Sequence, residues 1–238
     1  MPQKRAFDLS TDERAEMLRN LEFGSRTSES AIVRLAKSSA AADYRRRRFV
    51  YRAGEAADSI FIITRGRIKL CRIEENSGRE AVIDILSVGA MFGESALFGA
   101  GLREKNAVAY ENSRVLRVPL ADFRDGMAEN RDLYDYTFAL IGQRLLKAEH
   151  RLADFALDAI PARLEKLLIE YSGRYGVLEA DGVLIDIPLP HREIASIVGS
   201  TRESVTVRLN ALRREGIIDF VNRRILIKRP DSLAVEWN

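Results

Sequence analysis

His191-Arg192-Glu193-Ile194-Ala195-Ser196-Ile197-Val198-Gly199-Ser200-Thr201-Arg202-Glu203-Ser204-Val205-Thr206 is the stretch that decides how this chain is read. Ile194, Ile197 and Val198 fall on one face of a helix. Ala195 is small enough to let a second helix cross closely, and Gly199 supplies the turn. Ser200 or Thr201 can cap the helix that follows. On that helix Val205, Leu209 and Leu212 face inward at i, i+4 and i+7. The spacing predicts a helix-turn-helix between Pro190 and Gly216. A hairpin follows, with strands Ile217–Val221 and Arg224–Lys228 joined at Asn222-Arg223.

The outward face of the second helix presents Thr201, Arg202, Ser204, Thr206, Arg208 and Arg213. Arginine can grip guanine O6 and N7, and Glu203 can accept from cytosine N4. A carboxylate repels phosphates, so Glu203 suits a place beside bases rather than the backbone. The charge distribution points the same way. From Pro188 to the C-terminus there are nine Lys/Arg and six Asp/Glu, whereas the remaining 29 basic and 29 acidic residues cancel. Positive charge gathered there draws phosphates and releases counterions. The plain alternative is an αα-hairpin with a solvated face. The glycine turn, the inner-face pattern and the basic hairpin favour double-stranded DNA as the partner.

Working outward, residues 1–30 read as an amphipathic extension with Leu18, Leu21 and Phe23 as possible core contacts. Arg45-Arg46-Arg47-Arg48 is either a phosphate patch or an exposed strand edge or loop carrying solvated charge, and the second is favoured; long basic side chains on an edge also discourage edge-to-edge pairing. From Phe49 to Pro119 short apolar runs recur: Phe49-Val50-Tyr51, Ile60–Ile63, Ile68–Leu70, Ala81–Leu86 and Val115–Val118. Ala53-Gly54-Glu55, Arg65-Gly66-Arg67, Asn76-Ser77-Gly78 and Val88-Gly89 punctuate them. Many short strands at regular spacing indicate a barrel or sandwich. Without strand–helix alternation, a doubly wound nucleotide fold is set aside.

From Ala121 the period changes. Tyr134, Phe138, Ile141, Leu145, Ala148, Leu152 and Phe155 are spaced 4, 3, 4, 3, 4, 3. That is a heptad seam on a helix of about 30 Å. The seam can pack on its own β domain or on a second copy, and its length favours a parallel homodimer. The helix is expected to end near Asp158–Pro161, with Pro161 in the first turn of the next helix.

Cys71 is the only cysteine. It forms no internal disulfide and supplies no cluster for zinc or iron–sulfur; a buried strand position is favoured over a redox role. No apolar run approaches the roughly 20 residues of a membrane helix. Met1–Ser10 lacks the apolar core of a secretory signal. A cytoplasmic protein without a membrane partner is expected. Neither His150 nor His191 lies in the β segment, so a cupin-type metal site is set aside. No Gly-x-Ser-x-Gly elbow, Walker loop or Gly-x-Gly-x-x-Gly is present. No enzyme activity, cofactor or metal is expected.

The run Ile194–Thr206 resembles the winged helix of the CRP/FNR (cyclic-AMP receptor and fumarate–nitrate regulator) superfamily. The resemblance extends from about Arg47 to Lys228. Gly54-Glu55, Ile60–Ile63, Gly66, Gly89-Ala90-Met91-Phe92-Gly93-Glu94 and Leu97-Phe98 match the family's β-roll sensor. It implies an α+β fold: an N-terminal β-roll of the cyclic-nucleotide-binding type, a long dimerisation helix and a C-terminal winged helix-turn-helix. The expected boundaries are 1–30 for the extension, 31–125 for the β-roll, 126–158 for the dimerisation helix and 159–238 for the DNA-binding domain. The implied base readers are Arg202, Glu203 and Thr206. A second base-reading Arg of many members is replaced by Val207. Arg208 comes one position, about 100°, later and is assigned to phosphate instead. Backbone contacts are expected from His191, Arg192, Ser200, Thr201, Ser204 and Arg208, with solvated surface equally open for His191 and Arg192. The family implies a homodimer on a pseudo-palindromic operator and a contact with RNA polymerase, for which the loop Gly176–Ile185 is the candidate.

The sensor departs from the family pattern. Gly93 and Glu94 match its ribose-contacting turn. The cyclic-phosphate Arg expected ten residues after that Glu is Glu104 here, followed by Lys105. Arg103 is one residue early, and strand alternation turns it the other way; a shifted loop would rescue it. The Thr-Ser pair that reaches the base in cyclic-AMP binders falls on Ala148-Glu149. The expectation is therefore a vestigial pocket (Gly93, Glu94, Arg103, Glu104, Lys105, Ala148, Glu149) and DNA binding that needs no cyclic AMP. Another small ligand, control by abundance, and a regulatory module acting on a partner protein are the alternatives.

Overall fold

In a computed structural model of the chain, the described residues are 5–6, 9–99 and 101–233. The outer ends of the expected N-terminal extension and C-terminal domain, 1–4 and 234–238, therefore lie outside the described residues. The elements run β1 (Arg5–Ala6), α1 (Thr11–Arg19), α2 (Glu22–Ser25), α3 (Glu29–Ser38), β2 (Ala40–Tyr44), β3 (Phe49–Tyr51), β4 (Ser59–Arg65), β5 (Ile68–Ile73), β6 (Glu80–Leu86), β7 (Met91–Phe92), a 3-10 turn (Glu94–Phe98), β8 (Asn106–Ala109), β9 (Ser113–Pro119), α4 (Leu120–Glu129) and α5 (Arg131–Leu157). Then follow α6 (Ile160–Tyr175), β10 (Gly176–Glu179), β11 (Gly182–Ile185), α7 (His191–Val198), α8 (Arg202–Arg214), β12 (Ile218–Val221) and β13 (Arg224–Ile227). The chain divides into two compact units, Met1–Leu146 and Lys147–Asn238.

In the first unit two antiparallel sheets face each other, ordered β1-β2-β9-β4-β7 and β3-β8-β5-β6. Strand β4 shows why the run Ile60–Ile63 folds this way. Successive side chains point to opposite faces. Ile60 and Ile62 join a core with Leu18, Phe23, Leu35, Leu116 and Phe123, whereas Phe61 and Ile63 fill the roll with Tyr51, Ile68, Leu70 and Phe92. A strand buried on both faces reads as a continuous apolar run. Each fully buried side chain of this size stabilises the fold by about 1.5–3 kcal/mol.

The N-terminal helices belong to this core. Leu18, Leu21 and Phe23 are buried, and the Phe23 ring meets Tyr136 edge-on at 5.1 Å. Ser10 caps α1 in a box with Glu13. Cys71 is a buried strand residue. Arg45–Arg48 form the exposed turn between β2 and β3. Strands β2 and β8 carry little strand signal in the sequence, because alanine-rich runs such as Ala40-Ala41-Ala42 and Asn106-Ala107-Val108-Ala109 are poor in β-branched and aromatic residues.

Helix α5 covers 27 residues, about 40 Å at 1.5 Å per residue. Its first turns pack Leu133 and Thr137, with Tyr136 and Leu140 partly buried, against the helical core. The heptad stripe faces elsewhere: Phe138 is 68% exposed, Leu145 59% and Leu152 71%. Ile141 is half-buried and Ala148 exposed. Within the first unit, the β domain therefore leaves Phe138 and Leu145 uncovered.

In the second unit α6 starts at Ile160 with Pro161 in its first turn. Gly176–Ile185 forms the β10–β11 hairpin, and the sheet order is β10-β11-β13-β12. The wing is thus half of a four-stranded sheet rather than a free hairpin.

Candidate nucleic-acid interface

Helix α7 buries Ile194, Ala195, Ile197 and Val198, and α8 buries Val205, Leu209 and Leu212. Gly199 joins them with φ 64° and ψ 49°, a left-handed C-cap. A Cβ there would come within 2.5 Å of the Phe155 ring. Glycine is required for both its backbone conformation and this close approach. Phe155, placed in the dimer seam by its spacing, covers this turn instead and lies under Arg163 at 4.8 Å, though it stays 46% exposed.

Thr201 caps α8 by accepting from the Ser204 amide at 3.2 Å. Arg202, Glu203 and Ser204 are exposed on the first turn beyond it, and Thr206 is half-buried one turn later. Val207 is 67% exposed on the same helix. Pro190, His191, Arg192 and Arg202 line a shallow concavity at the start of α7. His191 Nδ1 lies 2.8 Å from Thr206 Oγ1, and the Thr206 hydroxyl donates to the Arg202 carbonyl at 2.8 Å. Burial, then the Arg202 charge, lowers the His191 pKa below its ordinary value.

Two expected backbone contacts are redirected. Arg208 turns back and binds Glu165 of α6 through Nε at 3.0 Å and a second, shorter bond, with Glu215 at 3.7 Å. Its position is set by that carboxylate, which lies 43 residues away in sequence and which spacing on α8 does not reveal. The Ser200 Oγ is enclosed without a partner, so it presents nothing to a ligand.

The basic residues sort by partner. Arg213 and Lys228 both hold Asp219, at 3.0 and 3.3 Å, and Arg224 holds Asp186 at 3.1 Å. Among the described residues from Pro188 onward, Arg192, Arg202, Arg214, Arg223 and Arg229 have no carboxylate partner. Arg214 and Arg229 are held by backbone carbonyls, which leaves Arg192 at the start of α7, Arg202 at the start of α8 and Arg223 at the wing tip.

The sensor residues lie in the first unit. Gly93 adopts φ +87°, and a Cβ there would come within 2.9 Å of Arg103 and 3.2 Å of Phe61. Glu94 is 7% exposed, 2.6 Å from Arg144 and 3.6 Å from Lys105. Burial pushes its carboxyl up, but Arg144 and Lys105 outweigh burial and hold it below the usual range.

Arg103 corrects the expectation from alternation. It points inward, 3% exposed, and donates to the carbonyls of Gly93 at 3.1 Å and Ser59 at 2.6 Å. Its guanidinium stands 4.4 Å from the Tyr51 ring. Glu104 is the residue that faces out. The phase is set by the Ala56–Leu102 bridge and by Arg103 N donating to Glu55 O at 2.8 Å. A shift of one residue flips every side chain. The structure thus gathers Gly93, Glu94, Arg103 and Lys105, adds Arg144, and leaves Glu104 outside; Ala148 and Glu149 are exposed on α5. Arg144 was missed, although it is one turn before Ala148 on the same helix.

Among the described residues no group of three or more His, Cys, Asp or Glu is placed to hold a metal, and no helix is long and apolar enough to cross a membrane.

Residues 42–130 match the cyclic nucleotide-binding domain family, and residues 162–235 match the Crp-like helix-turn-helix domain. A CRP-like cAMP-activated global transcriptional regulator of Mycobacterium tuberculosis is 29% identical over 205 residues, covering 86% of this chain and 91% of the relative. A global nitrogen regulator of Nostoc is 28% identical over 196 residues, covering 82% and 87%. Among solved structures, a CRP/FNR-family transcriptional regulator from Thermus thermophilus superposes with a TM-score of 0.66 at 26% identity, covering 81% of this chain and 95% of that one. The chain belongs to the CRP/FNR superfamily and is a DNA-binding transcription regulator of that family.

Proposed function

We propose that the chain is a sequence-specific regulator that works in the cytoplasm as a homodimer on a pseudo-palindromic operator, a binding protein and not an enzyme. The observation that carries this is the first turn of α8, where exposed Arg202, without a carboxylate partner, stands beside exposed Glu203. Arg202, Glu203 and Thr206 read bases. Arg192, Thr201 and Ser204 lie along the backbone, and His191 stands behind Thr206. The uncovered seam of Phe138, Leu145 and Leu152 supports the homodimer. Residues 31–125 serve as the sensor domain, 126–158 as the dimerisation helix and 159–238 as the DNA-binding domain, with 1–30 as an extension. The β10–β11 hairpin, where Leu178 is 86% exposed, is the surface offered to RNA polymerase.

The protein binds its operator without cyclic AMP. Glu94 is already engaged by Arg144 and Lys105, Arg103 is held by two backbone carbonyls, and Ala148-Glu149 lack the hydroxyls that reach the base in cyclic-AMP binders. A second reading has its own support. Two cations, Lys105 and Arg144, flank the Glu94 carboxylate, and a third, Arg103, holds the neighbouring Gly93 carbonyl; this gathering of positive charge suits a small anionic effector. Genome-wide footprinting with purified protein, with and without added nucleotides, tests both. Twofold footprints with half-sites about 34 Å apart and no nucleotide requirement are expected. Footprints that appear only with a nucleotide would select the second reading, and none under any condition would sink the regulator itself.

A further inference from the structure

His191 joins three elements of the DNA-binding unit. It opens α7, its Nδ1 is 2.8 Å from Thr206 Oγ1 on α8, and its ring lies 6.0 Å from Phe220 on β12. The chemistry of the pair is constrained. A threonine hydroxyl has one proton and two acceptor sites. The Thr206 proton goes to the Arg202 carbonyl at 2.8 Å. The bond to His191 therefore needs the proton on Nδ1. Thr206 is left with one lone pair and its methyl group, and nothing to donate.

That restricts what Thr206 can read. In the major groove guanine shows only the acceptors N7 and O6. Adenine and cytosine show an amino donor, and thymine shows a methyl group. A hydroxyl that cannot donate gains nothing from guanine. We propose that His191 is a positioning residue that fixes Thr206 as an acceptor-only hydroxyl, excluding guanine from the base step that Thr206 faces. This rests on the reading of α8 as the helix that reads DNA.

The test is binding of the full-length protein to an operator library randomised one position at a time, at fixed salt. The wild type is expected to disfavour guanine about fivefold at one position in each half-site, the scale of one net hydrogen bond. His191→Phe keeps a ring against Phe220 but has no donor, and should remove that bias while leaving the other positions unchanged. His191→Asn places an amide donor near Nδ1 and should restore it. In a Thr206→Val background the His191→Phe change should have no further effect on the profile. An unchanged profile in His191→Phe would overturn the proposal alone. A wild type without preference at any position would overturn the regulator reading and this proposal with it. A readout independent of folding variants is the long-range proton–nitrogen NMR spectrum of the wild type at pH 8, with the signals assigned by His150→Gln. The Nδ1–H tautomer at His191 is expected; the Nε2–H tautomer would overturn the assignment.

Discussion

The Arg144 guanidinium on α5 lies 2.6 Å from the Glu94 carboxylate, which is 7% exposed. The pair ties the long helix to the sensor turn of the same unit. Removing one partner of a buried pair costs about 3–5 kcal/mol, because the other charge is left without compensation. Arg144→Met should therefore lower stability by roughly 2–4 kcal/mol, with Lys105 supplying part of the compensation. The double variant Arg144→Met with Glu94→Gln should recover most of the loss. Because the Glu94 pKa is held below its ordinary 4.5, its contribution is complete above that pH and is lost as the pH falls through the folded value. Denaturant unfolding at several pH values checks the sign; an additive double variant would refute the coupling.

Gly199→Ala should destabilise the DNA-binding unit. The left-handed conformation alone costs a residue with a Cβ about 1–2 kcal/mol, and the Phe155 ring must also move. Phe155→Leu should relieve part of the loss. Thermal melts of the single and double variants measure this.

The seam on α5 predicts the oligomeric state. Leu145→Arg or Leu152→Arg places a charge at a stripe position that is 59% or 71% exposed. Each should shift the protein from dimer to monomer at micromolar concentration without unfolding it. Sedimentation with circular dichroism decides, and a wild type that is already monomeric would sink the homodimer.

Arg202 and Arg208 should part company. Arg202→Ala removes a charge without a carboxylate partner, so affinity for the operator should fall by roughly 1–3 kcal/mol and specificity should relax. Arg208→Ala leaves the largely enclosed Glu165 without the two N–H donors that share its Oε1, so stability should drop by about 1–3 kcal/mol while the salt slope of DNA binding stays unchanged. A salt slope lowered by Arg208→Ala would return that residue to the backbone.

His191 carries a pH signature. Its pKa in the free protein lies below the ordinary 6.5, so folding favours the neutral ring. The stability it contributes is complete above that pH and is lost as the pH falls through the folded value. Melting temperature should therefore drop between pH 7.5 and 5.5 more in the wild type than in His191→Asn. Equal slopes would mean that the ring is not held neutral.

Periodicity alone determined most of the architecture. The inner faces of α7 and α8, the turn at Gly199, the strands around Ile60–Ile63 and the heptad stripe of α5 were legible because helix and strand repeats are local properties of the chain. The N-terminal helices were less so: Leu18 and Phe23 announce burial, but not what they bury against. Tertiary structure alone decided which charges are free. Arg202 and Arg208 look alike in sequence, yet Glu165, 43 residues before Arg208, claims one and leaves the other. It also decided the phase at Arg103. Counting residues from Glu94 turned it outward, whereas hydrogen bonds to residues 54–55 turn it in. Spacing along a chain fixes which face a side chain takes within an element. Across a bend, and between elements distant in sequence, the face is set by the partner that folding brings near.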